Sequence, residues 1–204
     1  MLPPGARTSS AGEHPVNPAR PLPAWPATAL IDETQSGSEY LLAAVIVIET
    51  RRLHLQQEAL ALRVGGRKLH WHDESATRRA YLVHKLAAMP ISSVVTVRSA
   101  RVAEDDERSR RKCLEGLLVE LDNRHVDQAV LEAREPSQNR RDMDLVARLR
   151  QGRRLRSRLR VDHAPGPAEP LLWLADIVAG AVREHRLDPR RHSEFAASVT
   201  IIEL

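Results

Sequence analysis

Ala27-Thr28-Ala29-Leu30-Ile31-Asp32-Glu33-Thr34, then Gln35-Ser36-Gly37-Ser38, then a run that contains Leu41-Leu42-Ala43-Ala44-Val45-Ile46-Val47-Ile48: this stretch decides the fold. A short apolar run ends in acids, a Gly/Ser segment supplies turn chemistry, and residues 39–50 follow as a second, strongly apolar run. Two β-rich runs around such a loop predict an antiparallel hairpin. The unbroken apolarity of the second predicts a strand covered on both faces.

Downstream, a helix is expected over residues 51–63, burying Leu53, Ala59, Leu60 and Leu62 and ended by Gly65-Gly66. Residues 74–89 carry Leu82, Leu86 and Met89 at helical spacing before Pro90, and the Val/Ile/Ser/Thr-rich residues 91–98 read as a strand. Over 104–122, Glu104, Asp105 and Asp106 suit the positive end of a helix whose Leu114, Leu117, Leu118 and Leu121 share one face. A strand at 126–133, a polar helix around 140–149, a strand at 155–161, an apolar helix at 170–186 and a last strand at 198–204 complete the pattern. Helices alternating with strands after an opening hairpin predict an α/β layered domain.

Upstream, seven of the thirteen prolines fall within the first 26 residues. That composition buries too little to offset its ordering entropy, so residues 1–26 are expected to be a disordered tail and residues 27–204 one domain. The 204 residues are 42% hydrophobic and 28% charged, which excludes a wholly disordered chain. Cys113 is the single cysteine, which excludes an internal disulfide and fits a reducing cytosol. Of 31 basic residues only Lys68, Lys85 and Lys112 are lysines, with a net charge of +4. Arginine suits phosphate contacts, although a GC-rich genome produces the same bias. No run approaches the ~18 apolar residues of a membrane span, and no signal pattern opens the chain. The expectation is a soluble, cytoplasmic protein without a membrane partner.

Four places carry candidate chemistry. Asp32, with Glu33 beside it, ends the first strand, where sites form in open α/β sheets; an acid there also simply opens a turn. Asp176 is the only charge between Leu171 and Val182. Burying an unpaired carboxylate costs several kcal/mol, so it needs an arginine, a metal or a proton. Ala175, Ala179 and Gly180 leave room for something to approach that helix. Arg67-Lys68-Leu69-His70-Trp71-His72-Asp73-Glu74 packs bases, histidines and acids together. Glu74, opening a helix, is expected to face the sheet edge with Lys68 and His70 nearby, although acids also serve helix N-termini. Glu132 ends the strand Val130-Leu131-Glu132, a position that taken alone reads as a plain exposed edge residue.

No GxGxxG, GxxxxGK[ST] or GxSxG is present, so nucleotide cradles and a hydrolase elbow lack support. Carboxylates gathered at one sheet edge cannot all stay ionised without cations. Oxygen ligands favour Mg²⁺ or Mn²⁺, and two such ions serve phosphodiester cleavage. Asp32, Glu74, Glu132 and Asp176 are therefore the expected metal ligands, with Lys68 and His70 contacting the scissile phosphate or moving a proton.

Ile31-Asp32-Glu33-Thr34 resembles the "IDES" opening of the large bacterial family catalogued as a domain of unknown function, number thirty-eight hundred, with Thr34 in place of Ser. The segment from Glu169 to Val182, with Ala175-Asp176-Ile177-Val178-Ala179-Gly180-Ala181, resembles its "ADxxAGA" helix. Lys68-Leu69-His70-Trp71 resembles a segment of actinobacterial members, and His163 stands where such members often carry a histidine before that helix. The resemblance implies a ribonuclease-H-like mixed sheet with flanking helices and a metal-dependent nuclease. A ribonuclease-H-like order puts a third acid on the strand after the Glu74 helix, but residues 91–98 end in Arg98-Ser99, and Glu132 lies one strand later. The competing expectation is a non-catalytic nucleic-acid-binding or regulatory module. Its phosphate-contacting stripe would be Arg140, Arg141, Arg148, Arg150, Arg153, Arg154, Arg156, Arg158 and Arg160.

Overall fold

The hairpin forms as expected in the structure, a computed structural model that describes residues 26–37, 39–99, 106–156 and 159–204. The predicted tail, except Pro26, lies outside the described residues, as do Ser38, Glu104, Asp105 and Arg158. Strand β1 (Ala27–Ser36) turns at Gly37, whose φ of +57° suits a residue without Cβ, into β2 (Glu39–Ile48). Then come α1 (Arg52–Leu62), α2 (Ala76–Ala87), β3 (Ser92–Ser99), α3 (Asp106–Asn123) and β4 (Gln128–Glu132). The chain ends with α4 (Pro136–Gln151), β5 (Arg160–Ala164), α5 (Pro170–Leu187), α6 (Ser193–Ser198) and β6 (Thr200–Glu203).

The six strands lie in the order β5-β4-β1-β2-β3-β6. The run β1-β2-β3 is antiparallel, while β4 joins β1, β5 joins β4 and β6 joins β3 in parallel. This mixed sheet agrees with a ribonuclease-H-like arrangement. Side chains of β2 alternate between two cores, as the unbroken apolar run requires. Leu41, Ala43, Val45 and Val47 face the core built with α1, α2 and α5; Tyr40, Leu42, Ala44 and Ile46 face the one built with α3 and α4.

Several local expectations need correction. In α1 the buried stripe is Leu55, Ala59 and Leu62, whereas Leu53 and Leu60 are 76% and 44% exposed. The second helix starts after Glu74 because Ser75 accepts the Arg78 N–H as its cap, and Met89 falls beyond its end. Helix α4 begins earlier than residue 140, since Pro136 fits its first turn and Gln138 Oε1 accepts the Glu135 N–H. The strand expected at 155–161 is displaced to Arg160–Ala164. Leu155 and Leu159 still reach the core from outside the strand, and the Arg156 N–H bonds Asp122 Oδ2 at 2.6 Å. Alternating burial there does not signify ladder pairing. The last strand is shorter than expected because α6 precedes it.

What approaches Gly180 on α5 is Trp71: a Cβ at Gly180 would overlap the indole ring. Among the described residues no helix is long and apolar enough to cross a membrane. Gly180→Ala should therefore cost about 1–3 kcal/mol through overpacking. Urea denaturation would show this as a lowered midpoint with unchanged slope.

Candidate active site

Strand register brings two of the proposed acids together. Ile31 of β1 lies opposite Leu131 of β4 in the parallel ladder, so Asp32 and Glu132 follow side by side. Ile31 and Leu131 belong to the α3/α4 core, so the next residues, Asp32 and Glu132, turn to the face covered by α5. Helix α5 lies against β1 and β2 and supplies Asp176. The strand separation in sequence that stood against Glu132 is thus removed by β4 pairing directly with β1. A cleft of about 240 Å³ is lined by Asp32, Glu132, Asp176, Lys68 and His70, with Arg110 and Arg134 on its wall.

Lys68 and His70 arrive on a loop that turns through Gly65 and Gly66, at φ of +86° and +65°. The buried Lys68 ammonium donates to Glu132 Oε1 at 2.6 Å and to its Oε2, and lies 4.0 Å from Asp32 Oδ2. Gly166 makes room for that pair: a Cβ there would overlap the Glu132 carboxylate. Asp176 Oδ2 accepts the Trp71 N–H at 2.9 Å, and His70 Nδ1 stands 3.7 Å away on the half-exposed rim. Asp32 Oδ1 accepts the Glu33 N–H at 2.8 Å. Asp32 Oδ2 and Asp176 Oδ1 accept no hydrogen bond among the described residues. Glu74 does not join this group. Its carboxylate lies 3.7 Å from Arg78 Nε, because the turn at Trp71–Asp73 and the Ser75 cap commit it to the start of α2.

The electrostatics follow from one ammonium among three acids. Burial raises the Asp32 pKa well above the ordinary carboxylate range, and the charges of Asp176 and Glu132 raise it further against the pull of Lys68. Burial also raises Asp176, with Glu132 adding to it, while the Trp71 N–H, Lys68 and His70 oppose the rise. Among the described residues no three His, Cys, Asp or Glu side chains already stand at metal-ligand spacing; Lys68 takes the position between Glu132 and Asp32. The donor set nevertheless suits a hard divalent cation, being all oxygen, uncompensated in charge and holding two carboxylate oxygens without hydrogen bonds.

On the other face of the sheet stands an ion network that sequence reasoning missed. Glu33 turns away from Asp32 and accepts Arg110 Nε–H at 2.5 Å. Arg110 also forks onto Asp142, each side chain being 3% exposed. Asp142 further meets Arg134 at 3.4 Å and His163 Nε2 at 3.0 Å, so His163 serves this network and does not line the cleft. Burial works against the charge on Asp142, but His163 and Arg110 outweigh it and hold the carboxyl below its usual range. A signal was present in the sequence. Arg110 is in phase with Leu114, Leu117 and Leu121, and Asp142 with Leu145, Val146 and Leu149. Opposite charges on two apolar stripes imply a buried pair.

Comparison of the chain with protein-family models, curated proteins and solved structures finds no match in any of the three. The geometry alone therefore carries the functional reading.

Arg110→Ala leaves Asp142 and Glu33 without their fork and should cost about 3–5 kcal/mol in chemical denaturation. Asp32 acts in the opposite sense. Its folded pKa exceeds the unfolded value of about 3.9, so its contribution is fully present below that value and is lost as pH rises through the folded pKa. Asp32→Asn should then be more stable than wild type at pH 7, with the difference closing below about pH 4. Equal or lower stability at pH 7 would mean that Lys68 fully compensates the carboxylate.

Proposed function

We propose that the chain hydrolyses nucleic-acid phosphodiesters at this cleft with Mg²⁺ or Mn²⁺. The observation that carries the reading is the convergence of Asp32, Glu132 and Asp176, from β1, β4 and α5, around a single ammonium. Asp32 and Asp176 would hold the cation, and Glu132, engaged by Lys68, would be the outer ligand. When bound, the cation supplies activation of the attacking water and neutralises charge at the leaving oxygen.

The chain's own groups do the rest. Lys68, fixed by Glu132, presents a positive charge where a phosphate's non-bridging oxygens gather negative charge in the transition state. His70, on the open rim beside Asp176, would give a proton to the departing oxygen.

One observation favours a second reading, a nucleic-acid-binding module without catalysis: Lys68 already neutralises Glu132 in the position a cation would share. The two readings part on metal dependence. With Mn²⁺ and single-stranded, duplex and hybrid oligonucleotides, Asp32→Asn and Asp176→Asn should each lose more than the roughly 10–100-fold that loss of an outer-shell partner costs. Mn²⁺ at a hundred times its dissociation constant should stabilise wild type by about 2.7 kcal/mol and leave Asp32→Asn unmoved. Equal cleavage by all three proteins would mark a contaminant and end the nuclease reading. Binding that falls with salt but ignores Mn²⁺ and Asp32 would select the second.

A further inference from the structure

Behind the Arg134 wall, a groove of about 310 Å³ opens between α3 and α4. Its charged lining consists of Arg108, Arg111, Arg141 and Arg148 with the acids Glu107 and Asp142. Both acids are already committed. Glu107 pairs with Arg134 at 3.3 Å, and Asp142 with Arg110, Arg134 and His163. Arg111, Arg141 and Arg148 form no ion pair among the described residues. The helical period explains the gathering. Arg108 and Arg111 are three apart on α3, and Arg141 and Arg148 two turns apart on α4, so each pair shares a side of its helix. Arginines of α3 and α4 thus line one groove, and their positive charges add there.

The groove adjoins the cleft through one side chain. Arg134 lines the cleft and bonds both Glu107 and Asp142, which line the groove. We propose that this groove is a second subsite, binding the phosphate backbone of the nucleic acid away from the bond that is cleaved. It deepens the reading of the cleft and rests on it for the identity of the polymer. Guanidinium forks match phosphate oxygens two at a time, and a polyanion with regular spacing can reach several of them at once. Among the described residues Leu145 is the groove's only apolar lining side chain, which leaves little for the side chains of an acidic peptide to bury against.

The test uses the full chain as wild type, as Arg141→Ala/Arg148→Ala and as Asp32→Asn. Fluorescence anisotropy in EDTA measures binding of single-stranded oligonucleotides of about 4 and about 20 nucleotides between roughly 50 and 200 mM salt. Turnover of a small chromogenic phosphodiester with Mn²⁺, which cannot span both subsites, monitors the cleft separately. The double variant should bind the long oligonucleotide more weakly, its log–log salt slope shallower by about 1.4, two lost contacts at about 0.7 each. Its affinity for the short oligonucleotide and its turnover of the small diester should match wild type, whereas Asp32→Asn should lose that turnover and keep the wild-type salt slope. An unchanged slope and affinity in the double variant would overturn the subsite. So would displacement of the long strand by poly-glutamate at lower charge concentration than by unlabelled oligonucleotide, which would assign the groove to acidic peptides. If wild type fails to turn over the small diester while the slope still changes, the cleft reading fails and the backbone subsite stands.

Discussion

The Trp71 indole against Gly180 of α5 is the contact on which the candidate site depends. No other side chain at position 180 leaves space for the ring, and the Trp71 N–H closes the contact by bonding Asp176. Arg79 lies over the same ring at 5.3 Å and donates to the Trp71 and His72 carbonyls, while His192 meets the indole edge-on at 5.8 Å. The loop between α1 and α2 is therefore anchored at its far end. Lys68 and His70, three and one residues before the anchor, are carried over the end of β1. A loop with two glycines at positive φ has little intrinsic reason to hold an ammonium in one place; the anchored tryptophan provides it.

The neighbouring acids Asp32 and Glu33 divide the molecule's polar interior between them. Strand alternation sends Glu33 to the α3/α4 side, where Arg110, Asp142, Arg134 and His163 meet in a densely bonded network. It sends Asp32 to the α5 side, where the charges do not balance and burial raises both Asp32 and Asp176. The first arrangement is structural in character, because each charge is matched. The second has the imbalance expected of a place that receives a cation or a polyanion's counter-charge. A larger cavity, about 520 Å³, is lined by Ile46 and Ile48 at the end of β2 and by Ser92 and Ser93 at the start of β3, with no carboxylate among the described lining residues, so size alone does not mark the chemistry.

Much of this was legible in one dimension. The hairpin, the two-sided burial of β2, the helix of Asp176 and the small-residue face beside it follow from periods and apolar runs, which are local properties of the chain. So does the candidacy of Asp176, since a lone charge in an apolar helix must find a partner wherever it lands. The in-phase positions of Arg110 and Asp142 were equally local, and they announced a buried pair to a reader who checked charges against helical stripes.

Other features depended on neighbours distant in sequence. Glu74 looked like a site residue because it sits among bases and histidines, yet a cap at Ser75 three bonds of backbone away decided its direction. Glu132 looked remote because it lies a strand too late, yet β4 pairs with β1 across a hundred residues, Thr28 opposite Gln128, and sets it beside Asp32. The sequence by itself determined most of the strands and helices, though not α6 or the bounds of β5, and which charges could not be buried alone, because hydrophobic period and desolvation act within a few residues. Only the tertiary structure decided which carboxylates meet, that Lys68 stands between two of them and that Trp71 fills the space at Gly180, because strand order and close packing are settled between surfaces that no local pattern brings together.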